Sequence, residues 1–293
     1  MKKISKAIIP VAGLGTRMLP ATKNLPKELL TIFDRPMIEY ALKEASEAGI
    51  EDIIFITGKN KEMLQYYLGK NYQARHTFTE DNRSIKPERL TKSELNPNNI
   101  VFIEQKEPLG LGHAVLCAKN IIGNESFCLI LPDMLAKGKP GCLSQMLQAY
   151  NINKGNIIGL EKIPIEDTYK YGIVKISDKK NNVCKIDGMI EKPRPEKAPS
   201  NLMIMGRYIL QPEIFDTLEH QNPGHNNEIQ LTDALITLIE TQKFTGVVFD
   251  GKTYDCGDKL GYLMANLQYA LDSEANNSDI RKTLVKLIQT LES

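Results

Sequence analysis

Apolar runs too short to be helices recur along this chain, and longer segments with helical spacing lie between them. The runs are "AIIPV" (7–11), "DIIFIT" (52–57), "NIVFIE" (99–104), "FCLILPD" (127–133), "NIIGLE" (156–161), "YGIVKIS" (171–177), "LMIMGRYIL" (202–210) and "FTGVVFD" (244–250). Several are apolar without alternation. A strand with one wet face alternates, so these strands are expected to be covered on both faces. Helical patterns are "PMIEYALKEASEAG" (36–49), "GLGHAVLCAKNIIG" (110–123), "EIQLTDALITLIETQ" (228–242), "KLGYLMANLQYALDS" (259–273) and "SDIRKTLVKLIQTLES" (278–293). The first opens on Pro and closes on Gly, the usual asymmetry of helix ends. Strands alternating with helices predict an α/β fold with a doubly wound sheet, whose ligands bind outside the carboxyl ends of the strands.

The bulk numbers remove several classes of function. The chain has 293 residues, 42% of them hydrophobic, and its length suits one α/β domain over 1–293. A net charge of +1 gives no basic field for nucleic acid, so any phosphate binding must come from local placement of charge. Five cysteines, an odd number with no CxxC, read as free thiols in a reducing compartment. The start "MKKISKAIIPVAGLG" is basic then apolar like a signal peptide, but the apolar run is short and broken by glycines. No apolar run approaches the ~18 residues of a membrane span. The polar stretch 69–99 is expected to be a surface insertion rather than a functional lid.

The first strand feeds "VAGLGTRMLPATKNLPKELL", where Gly13 and Gly15 are followed by Arg17, Lys23 and Lys27. A strand running into a glycine turn brings backbone close to a ligand, often a phosphate. Two common phosphate motifs fail here. Nothing after Gly13 or Gly15 fits GxxxxGK[ST], and "GLGTRM" has Met18 where the third glycine of GxGxxG belongs.

The longer string "GLGTRMLP…PKE" is more specific than a lone GxG. With "GLGHAV" (110–115), "LPD" (131–133), "YG" (171–172), "EKP" (191–193), "GRY" (206–208), "EIQLTD" (228–233) and "DCG" (255–257) in order, the chain resembles the bacterial UTP–glucose-1-phosphate uridylyltransferases. These form a branch of the sugar-phosphate nucleotidyltransferases, and the resemblance runs from about residue 6 to about 270. Two departures are Thr31, where Pro is usual, and Asp258, where Asn is usual. The resemblance implies a Rossmann-like three-layer α/β/α nucleotidyltransferase fold with a mixed, mostly parallel sheet.

It also implies a reaction and its residues. A phosphate oxygen of glucose 1-phosphate attacks the α-phosphorus of UTP in line, and pyrophosphate leaves. No protein nucleophile is required, so catalysis is positioning and charge neutralisation. Ala12, Gly13, Gly15 and Thr16 belong to the loop that holds the nucleotide. Arg17 and Lys27 are the catalytic cations beside the departing pyrophosphate, where Arg suits bidentate contact. Asp133 is the Mg2+ ligand and Asp255 a second one, direct or through water. Lys192 meets the sugar phosphate, Glu191 accepts sugar hydroxyls, and Gly172 admits the sugar to the backbone. Gln105 and Gly110 read uracil, the glutamine amide offering an acceptor beside a donor, and Glu28 serves the ribose or uracil side. The resemblance further implies a cytoplasmic homo-oligomer, dimer or tetramer.

Each of these residue types also has an ordinary use. A strand-end Asp is commonly a cap or turn former, and Glu191–Lys192 a surface ion pair. Gly172 reads as a turn glycine, Gln105 as a surface residue, and Glu28 as a solvated partner of Lys27. His113 reads as structural, because a phosphate nucleophile needs no general base. His76, His220 and His225 lack metal spacing. Met and Tyr of "KLGYLMANLQY" fall at core spacing. The stripe Ile280, Leu284, Leu287, Ile288 and Leu291 packs on the body or on a neighbouring subunit. Three rival functions remain at this level: another sugar phosphate or dTTP on the same fold, a non-catalytic sugar-nucleotide-binding paralogue, and a nicotinamide oxidoreductase.

Overall fold

The computed structural model describes residues 3–59, 61–68, 100–224, 227–273 and 277–291, without the side chains of residues 277 and 291. The 69–99 stretch, His76 and His225 lie outside the described residues. In chain order the strands are β1 (Lys6–Pro10), β2 (Thr31–Ile32), β3 (Arg35–Pro36), β4 (Asp52–Thr57), β5 (Ile100–Glu104), β6 (Phe127–Ile130), β7 (Met134–Lys137), β8 (Asn156–Lys162), β9 (Gly172–Lys180), β10 (Val183–Glu191), β11 (Leu202–Leu210), β12 (Phe244–Val248) and β13 (Lys252–Asp255). The helices are α1 (Met37–Glu47), α2 (Glu62–Leu68), α3 (Gly110–Leu116), α4 (Lys119–Ile122), α5 (Cys142–Asn153), α6 (Ile214–His220), α7 (Leu231–Leu238), α8 (Lys259–Leu271) and α9 (Asn277–Leu291).

The main sheet has nine strands in the order β5-β4-β1-β6-β11-β8-β12-β10-β9. β5, β4, β1 and β6 pair in parallel, as do β8 and β12, while β10 and β11 run against their neighbours. Two of the nine strands oppose the common direction, so the sheet is mixed, with four parallel and four antiparallel pairs of neighbours along its order rather than mostly parallel pairs.

Side-chain alternation explains the unbroken apolar runs. In β1, Ala7 and Ile9 face one core with α1 and α5, while Ile8 faces the other with α3, α6 and α7. β4 repeats this, Ile53 and Phe55 on one side and Ile54 and Ile56 on the other. Both faces are covered, which makes three layers. A third, smaller cluster of Ile32, Met37, Leu135, Cys256 and Ala265 packs α8 on the side sheet formed by β7 and β13. All five cysteines are free, and among the described residues no helix is long and apolar enough to cross a membrane.

Several expectations are corrected. The 110–123 segment forms two helices, because Ala118 N–H bonds back to Val115 O, three residues away, and the turn tightens before α4. "FCLILPD" leaves the sheet after Ile130; Pro132 has no N–H for a ladder, and the chain turns toward the crevice before β7. β10 was not legible because two register shifts interrupt its alternation. In α8, Met264 is exposed rather than core, whereas Tyr262 and Tyr269 do pack on the third cluster. In α9, Ile280 and Leu284 are half-buried, but Leu287 and Ile288 stay exposed on the single chain. Asp258 caps α8, its carboxylate accepting from Gly261 N–H at 2.8 Å. Asn caps equally well, so this departure from the family pattern is conservative.

Candidate active site

The strand order reverses between β1 and β6, since β4 and β5 lie on one side of β1 and β6 on the other. Crevices form at such switch points. The loop after β1 and the Leu131–Asp133 turn after β6 both open into one cavity of about 540 Å³. Gly15 sits in the left-handed region at φ 64, where a residue with Cβ is strained, and Thr22 Oγ1 holds its carbonyl at 2.7 Å. This bend turns Thr16 and Arg17 into the cavity wall, although Gly15 itself does not line it.

Of the residues singled out in the sequence, Ala12, Gly13, Thr16, Arg17, Lys27, Glu28, Gln105, Gly110 and Asp133 line this cavity. Lys27 Nζ lies 2.5 Å from Asp133 Oδ2. Burial acts to raise the Asp133 carboxyl, but the Lys27 ammonium outweighs it and holds Asp133 below its ordinary value. Burial likewise acts to lower Lys27, and Asp133 outweighs it in the opposite direction. Arg17 is close enough to bear on Lys27, Asp133 and Asp255. Its Nη2 stands 2.8 Å from where a Cβ on residue 257 would lie, so a side chain there would push the guanidinium aside.

Asp255 ends β13 opposite Met134, and Cys256 N–H bonds Asp133 O at 2.8 Å, so the two acids share one corner. Burial raises the Asp255 carboxyl, and the Asp133 charge adds to the rise. Its oxygens accept from Gly257 N–H at 2.9 Å and from the Tyr171 hydroxyl at 3.4 Å. Among the described residues no group of three or more His, Cys, Asp or Glu side chains converges on a metal-sized site. Two neighbouring carboxylates fit a hard divalent cation that draws its other ligands from phosphate and water, as Mg2+ does.

Gln105 and Glu28 line the same cavity. Gln105 is 6% exposed, so it is no surface residue. Its Nε2 lies 3.1 Å from Gly110 O and 2.9 Å from His113 Nδ1. The amino end thus has protein partners of its own, which speaks against its pairing with a base. Glu28 is fully buried and pairs at 2.8 Å with Lys61, itself 7% exposed, rather than with Lys27 in solvent. Burial raises the Glu28 carboxyl, and Lys61 acts against the rise. Glu28 Oε1 is buried and takes no hydrogen bond among the described residues, an acceptor awaiting a donor.

Gly172, Glu191 and Lys192 form a second group outside this cavity. Gly172 faces Glu191 across the β9–β10 ladder, and Lys192 N–H bonds Tyr171 O at 3.1 Å. Tyr171 links this group to Asp255 through its hydroxyl. Glu191 Oε2 accepts from Thr232 Oγ1 at 2.9 Å, and Lys192 Nζ lies 3.4 Å from Glu191 Oε1.

Sequence reasoning missed Lys61, Tyr171, Thr232 and Glu228, the last also lining the cavity. Lys61 acts through a contact between distant segments, which no local spacing announces. Tyr171 lies within the quoted "YG" motif, and Glu228 and Thr232 within "EIQLTD", and that was the signal available.

Comparison with known proteins places the chain in a family. The nucleotidyl transferase family model matches residues 6–271. A UTP–glucose-1-phosphate uridylyltransferase of Bacillus subtilis is 43% identical over 291 residues, 99% of this chain and 98% of the relative. One of Staphylococcus epidermidis is 42% identical over 287 residues, 98% of this chain and 99% of the relative. The UTP-bound UGPase from Acinetobacter baumannii aligns with a TM-score of 0.88 at 39% identity, covering 97% of this chain and 100% of that one. A UDP-glucose pyrophosphorylase complexed with UDP-glucose aligns at 0.83 and 40%, covering 91% and 98%. With the switch-point cavity, the ordered motifs and near-complete coverage in agreement, the chain belongs to the nucleotidyl transferase family, among the UTP–glucose-1-phosphate uridylyltransferases.

Proposed function

We propose that this chain transfers the uridylyl group of UTP to α-D-glucose 1-phosphate, giving UDP-glucose and pyrophosphate. The observation that carries this reading is the lining of the cavity: the cations Arg17 and Lys27 and the acid Asp133 line the same space as the buried Gln105 amide and Gly110, whose carbonyl meets that amide. The sugar phosphate oxygen forms a new bond to the α-phosphorus, and the bond to the departing pyrophosphate oxygen breaks. The chain's own work is to align these atoms and neutralise charge. Thr16 and the Gly13 backbone face the triphosphate, and Arg17 and Lys27 take the departing half. Mg2+, held by Asp133 and Asp255, would supply Lewis-acid neutralisation of the phosphates. Lys192 and Glu191 receive the sugar phosphate and its hydroxyls, with Gly172 leaving room beside them. Glu28 Oε1 accepts from the nucleoside. One continuous sheet carries both groups of residues, which supports a single domain over 1–293. The free thiols fit a cytoplasmic setting, and the exposed Leu287 and Ile288 of α9 fit a homo-oligomer.

Pyrophosphate release, measured for each nucleoside triphosphate with glucose, galactose and N-acetylglucosamine 1-phosphates, tests the assignment. UTP with glucose 1-phosphate is expected to be the best pair; a clear preference for dTTP or another sugar would displace it.

The two basic groups should separate by substrate. Arg17→Ala is expected to weaken pyrophosphate in the reverse reaction, and Lys192→Ala to weaken glucose 1-phosphate in the forward one. Each loss should be roughly 2–4 kcal/mol of transition-state stabilisation. Steady-state kinetics in both directions check this, and equal effects of both changes on both substrates would refute the division. Gln105→Leu should lower kcat/KM for UTP about 10–100-fold, through one or two buried polar groups left unpaired, with little change in the KM for glucose 1-phosphate.

A further inference from the structure

We propose that Thr232 is a positioning residue for the sugar: its hydroxyl holds the Glu191 carboxylate in the place from which that carboxylate accepts sugar hydroxyls. This deepens the reading that Glu191 and Lys192 receive glucose 1-phosphate, and it rests on that reading.

Glu191 is the last residue of β10, and its side chain is 36% exposed. A long side chain at such a place loses rotamer freedom only where a neighbour restrains it. Three neighbours touch this one. Thr232 Oγ1 lies 2.9 Å from Glu191 Oε2. An ionised carboxylate only accepts, so the threonine hydroxyl is the donor. A Cβ on Gly172 would lie 3.2 Å from the same Oε2, so the carboxylate packs directly on the Gly172 backbone. Oε1 is turned toward Lys192 Nζ, 3.4 Å away.

Of the three, only Thr232 gives a directional hold from another element. Gly172 leaves room and offers no polar contact to Oε2. Lys192 is the next residue in the chain, and its side chain is 60% exposed, so its ammonium follows the carboxylate rather than fixing it. Thr232, by contrast, is half-buried in the first turn of α7. Its helix is anchored by Leu231, Ala234, Leu235 and Leu238, all buried in the core shared with α3 and α6. The hydroxyl therefore reaches the end of β10 from a packed support.

A carboxylate that is ordered beforehand binds sugar hydroxyls more tightly than one whose rotamers must be restricted on binding. Thr232 supplies that order before the sugar arrives, and each carboxylate oxygen keeps a lone pair for a hydroxyl. Neither Thr232 nor Glu191 lines the nucleotide cavity, so the effect belongs to the sugar half of the reaction.

Thr232→Val keeps the shape and removes the donor, whereas Thr232→Ser keeps the donor. Both are compared with the unaltered protein, with Glu191→Ala, and with Thr232→Val combined with Glu191→Ala. Steady-state kinetics are measured against glucose 1-phosphate at saturating UTP and against UTP at saturating glucose 1-phosphate, with thermal melts confirming folding. Thr232→Val is expected to raise the KM for glucose 1-phosphate about tenfold, and Thr232→Ser to keep it within about threefold. The KM for UTP should stay within about twofold in both. Added to Glu191→Ala, Thr232→Val should lower kcat/KM for glucose 1-phosphate by less than about twofold, because no carboxylate is left to position. Thr232→Ala replaces Thr232→Val if the latter does not fold. An unchanged KM in Thr232→Val, beside a large loss in Glu191→Ala, overturns the positioning role and leaves the sugar reading standing. An unchanged kcat/KM for glucose 1-phosphate in Glu191→Ala overturns the sugar reading and the positioning role together. Equal losses in Thr232→Val and Thr232→Ser, or a full tenfold loss retained in the Glu191→Ala background, mean that Thr232 acts without the carboxylate, and also overturn the proposal.

Discussion

Asp133→Asn is expected to lower turnover about a thousandfold, roughly 4 kcal/mol of transition-state stabilisation, while the protein stays folded. Asn keeps the size and one acceptor oxygen, so the Leu131–Met134 turn has no steric reason to move. What disappears is the charge that faces Lys27 at 2.5 Å and that a divalent cation would share with Asp255. Stability should fall by only about 1.5–3 kcal/mol, the worth of a hydrogen bond between charged groups. That penalty should be flat around neutral pH. Asp133 is held below its ordinary value, so its contribution is complete above the unfolded carboxyl's value and is lost only as pH falls through the lowered one. Lys27 is raised, so its share is complete below the ordinary lysine value and is lost only at still higher pH. Single-turnover kinetics across Mg2+ concentrations, with thermal melts at several pH values, check both statements. A folded Asp133→Asn protein with near-normal turnover at limiting Mg2+ would remove Asp133 from the chemistry.

The acid was legible because it closes an apolar run within a known motif, and so were Arg17 and Lys27, which follow the first glycine turn. The ordinary alternatives fail where distant segments meet. Glu28 is no solvated partner of Lys27: it pairs with Lys61, and the pair is nearly out of water. His113 read as structural, and its ring Nδ1 lies 2.9 Å from Gln105 Nε2. Gln105 read as a uracil contact through the family motif, and its ordinary alternative, an exposed surface residue, fails because it is 6% exposed.

The fold followed the same division. β4 and β11 span the residues that their apolar runs marked, because strands covered on both faces need no partner to declare themselves. β10 did not, because bulges break its period, and neither did the two-residue strands β2 and β3, which are too short to carry one. The exposed apolar residues of α8 and α9 show that periodicity locates an apolar face without saying what covers it.

Glu44→Leu is expected to cost about 3–5 kcal/mol of stability, the second large effect, because it strands a buried guanidinium. Arg207 is 1% exposed, and its partner Glu44 is 7% exposed. Nη2 meets Glu44 Oε2 at 2.8 Å and Nε lies 3.1 Å from the same oxygen. The remaining donors go to backbone: Nη1 to Leu131 O at 2.9 Å and Gly206 O at 3.2 Å, and Nη2 to Met134 O at 2.8 Å. Glu44 Oε1 also accepts Leu143 N–H at 3.0 Å. One ion pair thus fastens α1, α5, β11 and both flanks of the turn that carries Asp133. Residues 44 and 207 are 163 positions apart, so nothing local in the sequence could disclose it. Because the cost of the single change is an unpaired charge, removing both charges should recover most of it. Glu44→Leu with Arg207→Met replaces the pair by apolar groups of similar length, and such replacements are often neutral. The carbonyls of Leu131 and Met134 would still lose donors, at about 1–3 kcal/mol each, so recovery should be incomplete. Denaturant melts of the two single variants and the double variant form the test. A loss below about 1 kcal/mol in Glu44→Leu, or a double variant no more stable than the less stable single, would show that charge burial is not what makes this contact matter.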